Sequence, residues 1–462
     1  MAGGRRRLVA AGLCALCALA GSAHEHSAQR NAAPRALPFA WPGWEHIATS
    51  TWGSNSSCCA SSRFEDLACC SGLDSPAEVR FKTQFDLVFL DNGIGTPGCR
   101  FAFDNGSDTM LDCHRHRSQG AALVKAVAPS KPVFTYRQIS LVLEGNDPAA
   151  PELQPLWLTK DDKGNAIAPG RLDWRKPGAV QWYVDNVIGL HTAADPNFDG
   201  VFVDGPLASS QMCCDANLTL ATKQQLFLGL GRMLKAVSRL LASHGKVLTV
   251  SLGSHFSSLT SEFYADGTPP QICAADAPQS SMEPCCAFGE EKFAEIVGPF
   301  ETNVSMYTPF RQFNIPSRDF GDAAHGGNDT LGCAAAVMDA AEEMSRGPAF
   351  YCNNDGWPNK TDGGVGVARH TISMAAYLMG AAEGSYFSSG LHWSDLIPGT
   401  HDKAWPFWPD FEKKLGKPLG PMVRSGMVFT REFEGLSARI DCGKMEASLD
   451  WKGDGVQSSA KS

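Results

Sequence analysis

The chain has 462 residues, 43% hydrophobic and 19% charged, with a formal net charge of −9. That composition excludes a disordered or collagen-like chain and supplies enough length for one large domain or two medium ones. No block of five or six basic residues interrupts the acidic balance, so nucleic acid and anionic membrane surfaces are poor partners.

In chain order, residues 1–23 read as a secretory signal peptide. Arg5, Arg6 and Arg7 precede the apolar stretch Leu8–Ala20, and Gly21-Ser22-Ala23 offers a small-residue cleavage site. No later segment approaches the roughly 20 apolar residues of a membrane span. Cleavage would remove Cys14 and Cys17 and leave an even 14 cysteines, suited to disulfides in an oxidising compartment. Four adjacent pairs (Cys58-Cys59, Cys69-Cys70, Cys213-Cys214, Cys285-Cys286) are too close for comfortable mutual bridging, so each member is expected to reach a different loop. Sequons at Asn55, Asn105, Asn217, Asn303, Asn328 and Asn359 agree with export and glycosylation.

A flexible leader over 24–40 gives way to short β-like runs: Trp44–Thr51, Phe85–Asp91, Pro132–Gln138, Phe198–Asp204 and Lys246–Leu252. A sixth falls near Phe293–Tyr307, followed by Pro348–Asn353 and Gly384–Ser388. Helical patterns over Pro177–Leu190, Thr222–Ser243, Gly332–Ser345 and Ala368–Ala382 lie between them. This alternation predicts an α/β fold, a (β/α)8 TIM barrel over 41–410 with cysteine-rich loop insertions. A short C-terminal β-hairpin segment over 411–450, centred on Met427–Cys442, would pack on it, and 451–462 reads as a disordered tail.

One internal echo stands out. Phe85-Asp86-Leu87-Val88-Phe89-Leu90-Asp91 matches Phe198-Asp199-Gly200-Val201-Phe202-Val203-Asp204 at five of seven positions. With the two-residue strand period, each run ends in an acid on the face that carries its alternate phenylalanine. As strands two and four of a barrel, they would set Asp91 and Asp204 at matching height in the mouth, on strands roughly 9–10 Å apart. The alternative is that both acids merely cap the loops that follow them. Asp86 and Asp199 fall at the opposite, starting end, where a structural role is expected.

The run Phe198–Gly205 resembles the fourth strand of glycoside-hydrolase-like barrels related to the endo-α-1,4-polygalactosaminidase family. Asp173-Trp174-Arg175-Lys176-Pro177 is similar to their approach helix, and Arg431-Glu432-Phe433-Glu434-Gly435 to their closing segment. The resemblance spans most of 80–440, with cysteine-rich departures at 54–75, 207–216 and 265–290. It implies a catalytic carboxylate at Asp204 and, on a later strand end, a second acid for which Glu301 is the candidate. That role requires the sixth strand to end there; a strand over Asn303–Tyr307 would put Glu301 at its start.

Glycoside hydrolysis needs two carboxyl groups, one protonating the leaving oxygen and one attacking the sugar or activating water. Asp204 takes one role, with Asp91 or Glu301 for the other. Sugar-binding candidates near strand ends are Trp52, Tyr136, Arg137, His255, Asn353, Asp355, Trp357, His392, Trp393 and Asp395, with Arg137 equally suited to pairing with Asp91 or Asp204. Gly-x-Ser-x-Gly, phosphate-loop, dinucleotide and His-Glu-x-x-His motifs are all missing, and no metal or other cofactor is expected. The reading is a secreted glycosidase acting on a polysaccharide or glycan. A catalytically silent extracellular barrel that binds glycans or serves a structural role stays open beside it.

Overall fold

Runs of Val, Phe, Leu and Tyr without charge form strands when both faces can be buried, and parallel sheets meet that condition. A computed structural model describes residues 38–51, 76–90, 110–138, 159–160, 163–165, 172–204, 220–251, 306–308, 330–345, 349–353, 365–389 and 408–453. The chain divides into two compact units, Met1–Ala36 and Leu37–Ser462, and every described residue belongs to the second.

Eight strands form one parallel sheet in sequential order: β1 (Ser50–Thr51), β2 (Leu87–Leu90), β3 (Val133–Gln138), β4 (Gly200–Asp204), β5 (Val247–Ser251), β6 (Met306–Thr308), β7 (Ala349–Asn353) and β8 (Ser385–Ser389). The helices are α1 (Pro76–Thr83), α2 (Met110–Val127), α3 (Pro177–Trp182), α4 (Leu220–Ser243), α5 (Thr330–Ser345) and α6 (Val365–Gly380). The first and last strands meet. Thr49 bridges Phe387 in parallel, and the Phe387 N–H donates to the Ala48 carbonyl at 2.8 Å. Followed from pair to pair, the registers leave β1 at position 50 and return to it at position 42, a displacement of eight residues.

The pleat sorts side chains into two layers. Ala48, Leu87, Phe89, Phe134, Tyr136, Phe202, Val247 and Tyr386 form one buried inner cluster. Phe89 meets Phe134 and Phe202 edge-on at 5.4 and 5.8 Å, a geometry that adds to area burial. The intervening residues face the helices: Val88, Leu90 and Val133 join α1 and α2, while Val201, Val203 and Leu248 join α3 and α4. Helix α4 presents Leu226, Leu230, Met233, Leu234, Val237 and Leu241, a stripe spaced three and four apart, each side chain contributing about 1.5–3 kcal/mol on burial. Gly229 interrupts that stripe because a Cβ there would overlap the Trp174 carbonyl oxygen.

Two segments depart from expectation in extent. Helix α3 continues as a π-helix over Tyr183–Ala193, so its buried residues (Tyr183, Val184, Val187, Ile188, Thr192, Ala193) recur at steps of four and five. The closing segment is a four-stranded antiparallel sheet, β9 (Val423–Ser425), β10 (Val428–Glu432), β11 (Leu436–Asp441) and β12 (Glu446–Trp451), in order 12-11-10-9. Its outer strands carry too many exposed polar residues to reveal themselves by periodicity. Arg431 docks it: Nη1 donates to the Leu378, Met379 and Ala381 carbonyls at 2.8–3.1 Å, covering the C-terminal end of α6. A buried Cys333–Cys442 disulfide ties the sheet to α5. Phe39, placed by sequence in the leader, packs on Phe134 at 5.8 Å, and the Trp41 indole donates to the Ser385 carbonyl at 3.1 Å.

Candidate active site

All eight strands run parallel, so their C-terminal ends lie on one side of the sheet. Those ends read Thr51, Leu90, Gln138, Asp204, Ser251, Thr308, Asn353 and Ser389, polar in every case but Leu90. Beneath them lies the aromatic inner cluster. Register joins the ends into a rung: Gln138 is paired with Asp204, and Ser251 with Thr308. Continuing the Val203–Val250 pairing by one residue sets Ser251 beside Asp204. These four positions keep the parity of Tyr136, Phe202, Thr249 and Met306, the rung below, and belong to the inner face of the sheet.

The predicted site residues divide accordingly. Asp204 ends β4 at an inner position. Tyr136 is 1% exposed and leans on Phe202 at 5.8 Å, part of the aromatic floor rather than an open platform. Arg137 takes the outer parity of Val133 and Thr135. It lies near Tyr183 and His191 of the π-helix, whose ionisation its charge perturbs, and it is 2% exposed. Arg137 thus has the outer parity of the strand, and the pairing with Asp91 or Asp204 weighed from sequence concerns acids whose side chains lie outside the described ones. Burial first, then the charges of Arg137 and Arg117, hold the His191 imidazole down at about 4. Asn353 ends β7 but has the parity opposite to Phe350, the inner partner of Tyr386.

Glu301 lies outside the described residues. Strand β6 begins at Met306 and pairs directly with β5, so residue 301 precedes the strand instead of following its C-terminal end. Asp91, Trp52, His255, Asp355, Trp357, His392, Trp393 and Asp395 lie outside the described residues, as do the adjacent-cysteine loops and the sequons. Gln138 was missed by sequence reasoning. Its signal was the alternation of Phe134, Tyr136 and Gln138, which the more conspicuous Arg137 obscured.

The other half of the echo is structural. Asp86 Oδ2 accepts the Thr49 N–H at 2.8 Å while the Asp86 N–H donates to the Thr49 carbonyl at 3.0 Å. Asp199 repeats the arrangement with Val133, at 2.7 and 2.8 Å. Each acid thus clamps the backbone where the preceding neighbour strand begins, and each has a basic side chain close by: His46 at 3.0 Å from Asp86, Lys125 at 2.6 Å from Asp199. The hydrogen bond to Asp86 raises the His46 pKa above its usual value.

Residues carried by family resemblance prove structural as well. Asp173 accepts from Arg175 Nε and Nη2 at 2.8 Å each and from the Arg175 N–H, fixing the turn into α3. Phe433 is fully buried, and Gly435 leaves room for the Lys414 carbonyl oxygen. Among the described residues no group of three or more His, Cys, Asp or Glu could hold a metal ion, and no helix is long and apolar enough to cross a membrane.

Residues 317–437 match the model of a family described as hypothetical glycosyl hydrolase family 15. No curated protein matches the chain. Solved structures similar to it include an Anoxybacillus alpha-amylase, with 10% identity, coverage of 87% of this chain and 88% of that one, and TM-score 0.42. A Thermotoga maritima beta-glucosidase in complex with azafagomine shares 11% identity over 90% and 96% of the two chains, at TM-score 0.38. Scores this low establish neither a shared fold nor a shared activity. What the comparisons do give is a glycoside-hydrolase-like segment over α5, β7, α6, β8, β9, β10 and the first residues of β11.

Proposed function

We propose that the eight-stranded sheet is a closed (β/α)8 barrel and that the protein is a secreted glycosidase cleaving O-glycosidic bonds in a polysaccharide or glycan. The eight-residue displacement around the sheet equals the shear of this barrel class. Shear also fixes levels. One residue per strand accumulates around the barrel, so two strands apart the matching level lies two residues beyond the register partner. Phe89 stands in register with Phe134 and Gly200, and two residues on from Gly200 is Phe202; the proposal carries the same offset on to Asp91 and Asp204. The Phe89–Phe202 ring contact, two residues below each acid, supports this layer assignment.

The observation that carries the reading is an acid, Asp204, at the inner C-terminal end of β4, flanked by neutral polar residues over an aromatic floor. Asp91 becomes the second carboxylate in place of Glu301. Strands roughly 9–10 Å apart let the two carboxyl groups converge within the separations used by retaining and inverting enzymes. The sugar-binding roles of Trp52, His255, Asn353, Asp355, Trp357, His392 and Trp393 belong to this proposal. The N-terminal signal pattern and the buried Cys333–Cys442 bridge support export.

A silent glycan-binding barrel is the second reading, favoured by the structural use made of Asp173, Arg175 and Arg431. A panel of soluble polysaccharides separates the two. Asp204→Asn is expected to lower turnover on the order of 10³-fold while leaving the urea unfolding midpoint unchanged. A folded wild-type protein that binds a glycan without hydrolysing it would decide for the second reading.

A further inference from the structure

Strand β3 ends in two adjacent polar residues, Arg137 and Gln138, which hold register positions of opposite parity. Arg137 keeps company with the helix layer beside His191 and Tyr183. Gln138 has the parity of Phe134 and Tyr136, both of the inner cluster, and its register partner is Asp204. Of all the residues on β3, Gln138 is the one laid directly alongside the candidate catalytic acid. On the other side of Asp204 the same rung continues through Ser251 and Thr308. The rung holds one carboxylate, one amide and two hydroxyls, and it contains no cation.

That composition has a chemical meaning. A guanidinium at the inner position would pair with the carboxylate and hold it ionised. An amide leaves the charge of the acid alone and can donate and accept hydrogen bonds together, as a sugar hydroxyl does. A site built to hydrogen-bond a particular hydroxyl also rejects sugars that lack it or present it differently, because its own polar groups are then left unpaired. We infer that Gln138 is a specificity-determining residue, positioning a hydroxyl of the sugar unit beside the bond on which Asp204 acts. The inference rests on the glycosidase reading above and adds to it the residue that selects the sugar.

The test compares wild type, Gln138→Ala, Gln138→Met and Asp204→Asn on the same soluble polysaccharide panel, with kcat and KM measured for each glycan cleaved. Gln138→Met keeps the length of the side chain without its hydrogen bonds and carries the test if Gln138→Ala fails to fold. The expected result is a fall in kcat/KM of about 10- to 100-fold on the preferred glycan. The margin over the next-best glycan should narrow at the same time, a change that a general loss of stability would not produce. If Asp204→Asn is inactive while both Gln138 variants keep wild-type kcat/KM and wild-type preference, Gln138 has no such role and the glycosidase reading stands. If wild type cleaves nothing, the glycosidase reading fails and the role of Gln138 falls with it.

Discussion

His370 lies on α6 with its imidazole stacked on Trp408 at 4.0 Å and 13°, and Phe387 and Phe411 close the cage at 5.8 Å each. Its Nε2 is buried without a hydrogen-bond partner, and burial pushes its pKa down to about 3. An exposed histidine titrates near 6.5, so between those values the unfolded chain binds a proton that the folded one refuses. Stability from this residue is complete above pH 6.5 and is lost as pH falls toward 3. The full difference, 3.5 units between 6.5 and about 3, corresponds to about 5 kcal/mol, of which about 2 kcal/mol is gone at pH 5. Attraction between an imidazolium and the Trp408 face at a buried site offsets about 2 kcal/mol of the full difference of about 5 kcal/mol, so desolvation wins. Urea unfolding of wild type and His370→Phe at pH 7.5 and pH 5.0 isolates the effect, since other groups titrate alike in both. Wild type should lose about 1–2 kcal/mol more than the variant over that interval. Parallel losses in the two proteins would refute the claim that His370 is held neutral by its cage.

The opposite sign is expected at His46. Its pKa is raised by Asp86, so its contribution is present below pH 6.5 and disappears as pH climbs through the folded value. Asp86→Asn should remove that slope between pH 6 and 8 and lower stability by about 1–2 kcal/mol through the weakened bond to the Thr49 N–H, measured by the same urea titration. Arg431→Met should cost about 2–4 kcal/mol by leaving two α6 carbonyls and that of Ala381 just beyond it without their charged donor, again read from urea unfolding. A cost below 0.5 kcal/mol would mean that the sheet docks without it.

The alternation of strand and helix was legible because β2 to β5 are apolar runs bounded by Asp, Pro or Gly. Each falls within a residue or two of its sequence-predicted span. The sixth strand, expected near Phe293–Tyr307, is described over Met306-Tyr307-Thr308, too short a run to show a period of its own. The closing sheet was read as a hairpin for the converse reason. Strands β10 and β11 alternate, with Phe429, Leu436, Ala438 and Ile440 buried, whereas β9 is exposed throughout and β12 mostly partly exposed. Edge strands owe their existence to pairing partners, and pairing is not written in local composition.

The echo between 85–91 and 198–204 held two messages in one pattern. Its second residue, Asp86 or Asp199, repeats because each strand needs an acceptor for the first free N–H of its neighbour. Its fifth, Phe89 or Phe202, repeats because alternate strands fill the same inner layer. With those two accounted for, the final acid is the remaining repeated polar residue, the one that the glycosidase proposal assigns to chemistry. Arg137 shows the limit of reading by residue type. A guanidinium draws the eye by its charge, whereas the two-residue period gives Arg137 the outer parity of β3 and Gln138 the parity of Phe134 and Tyr136.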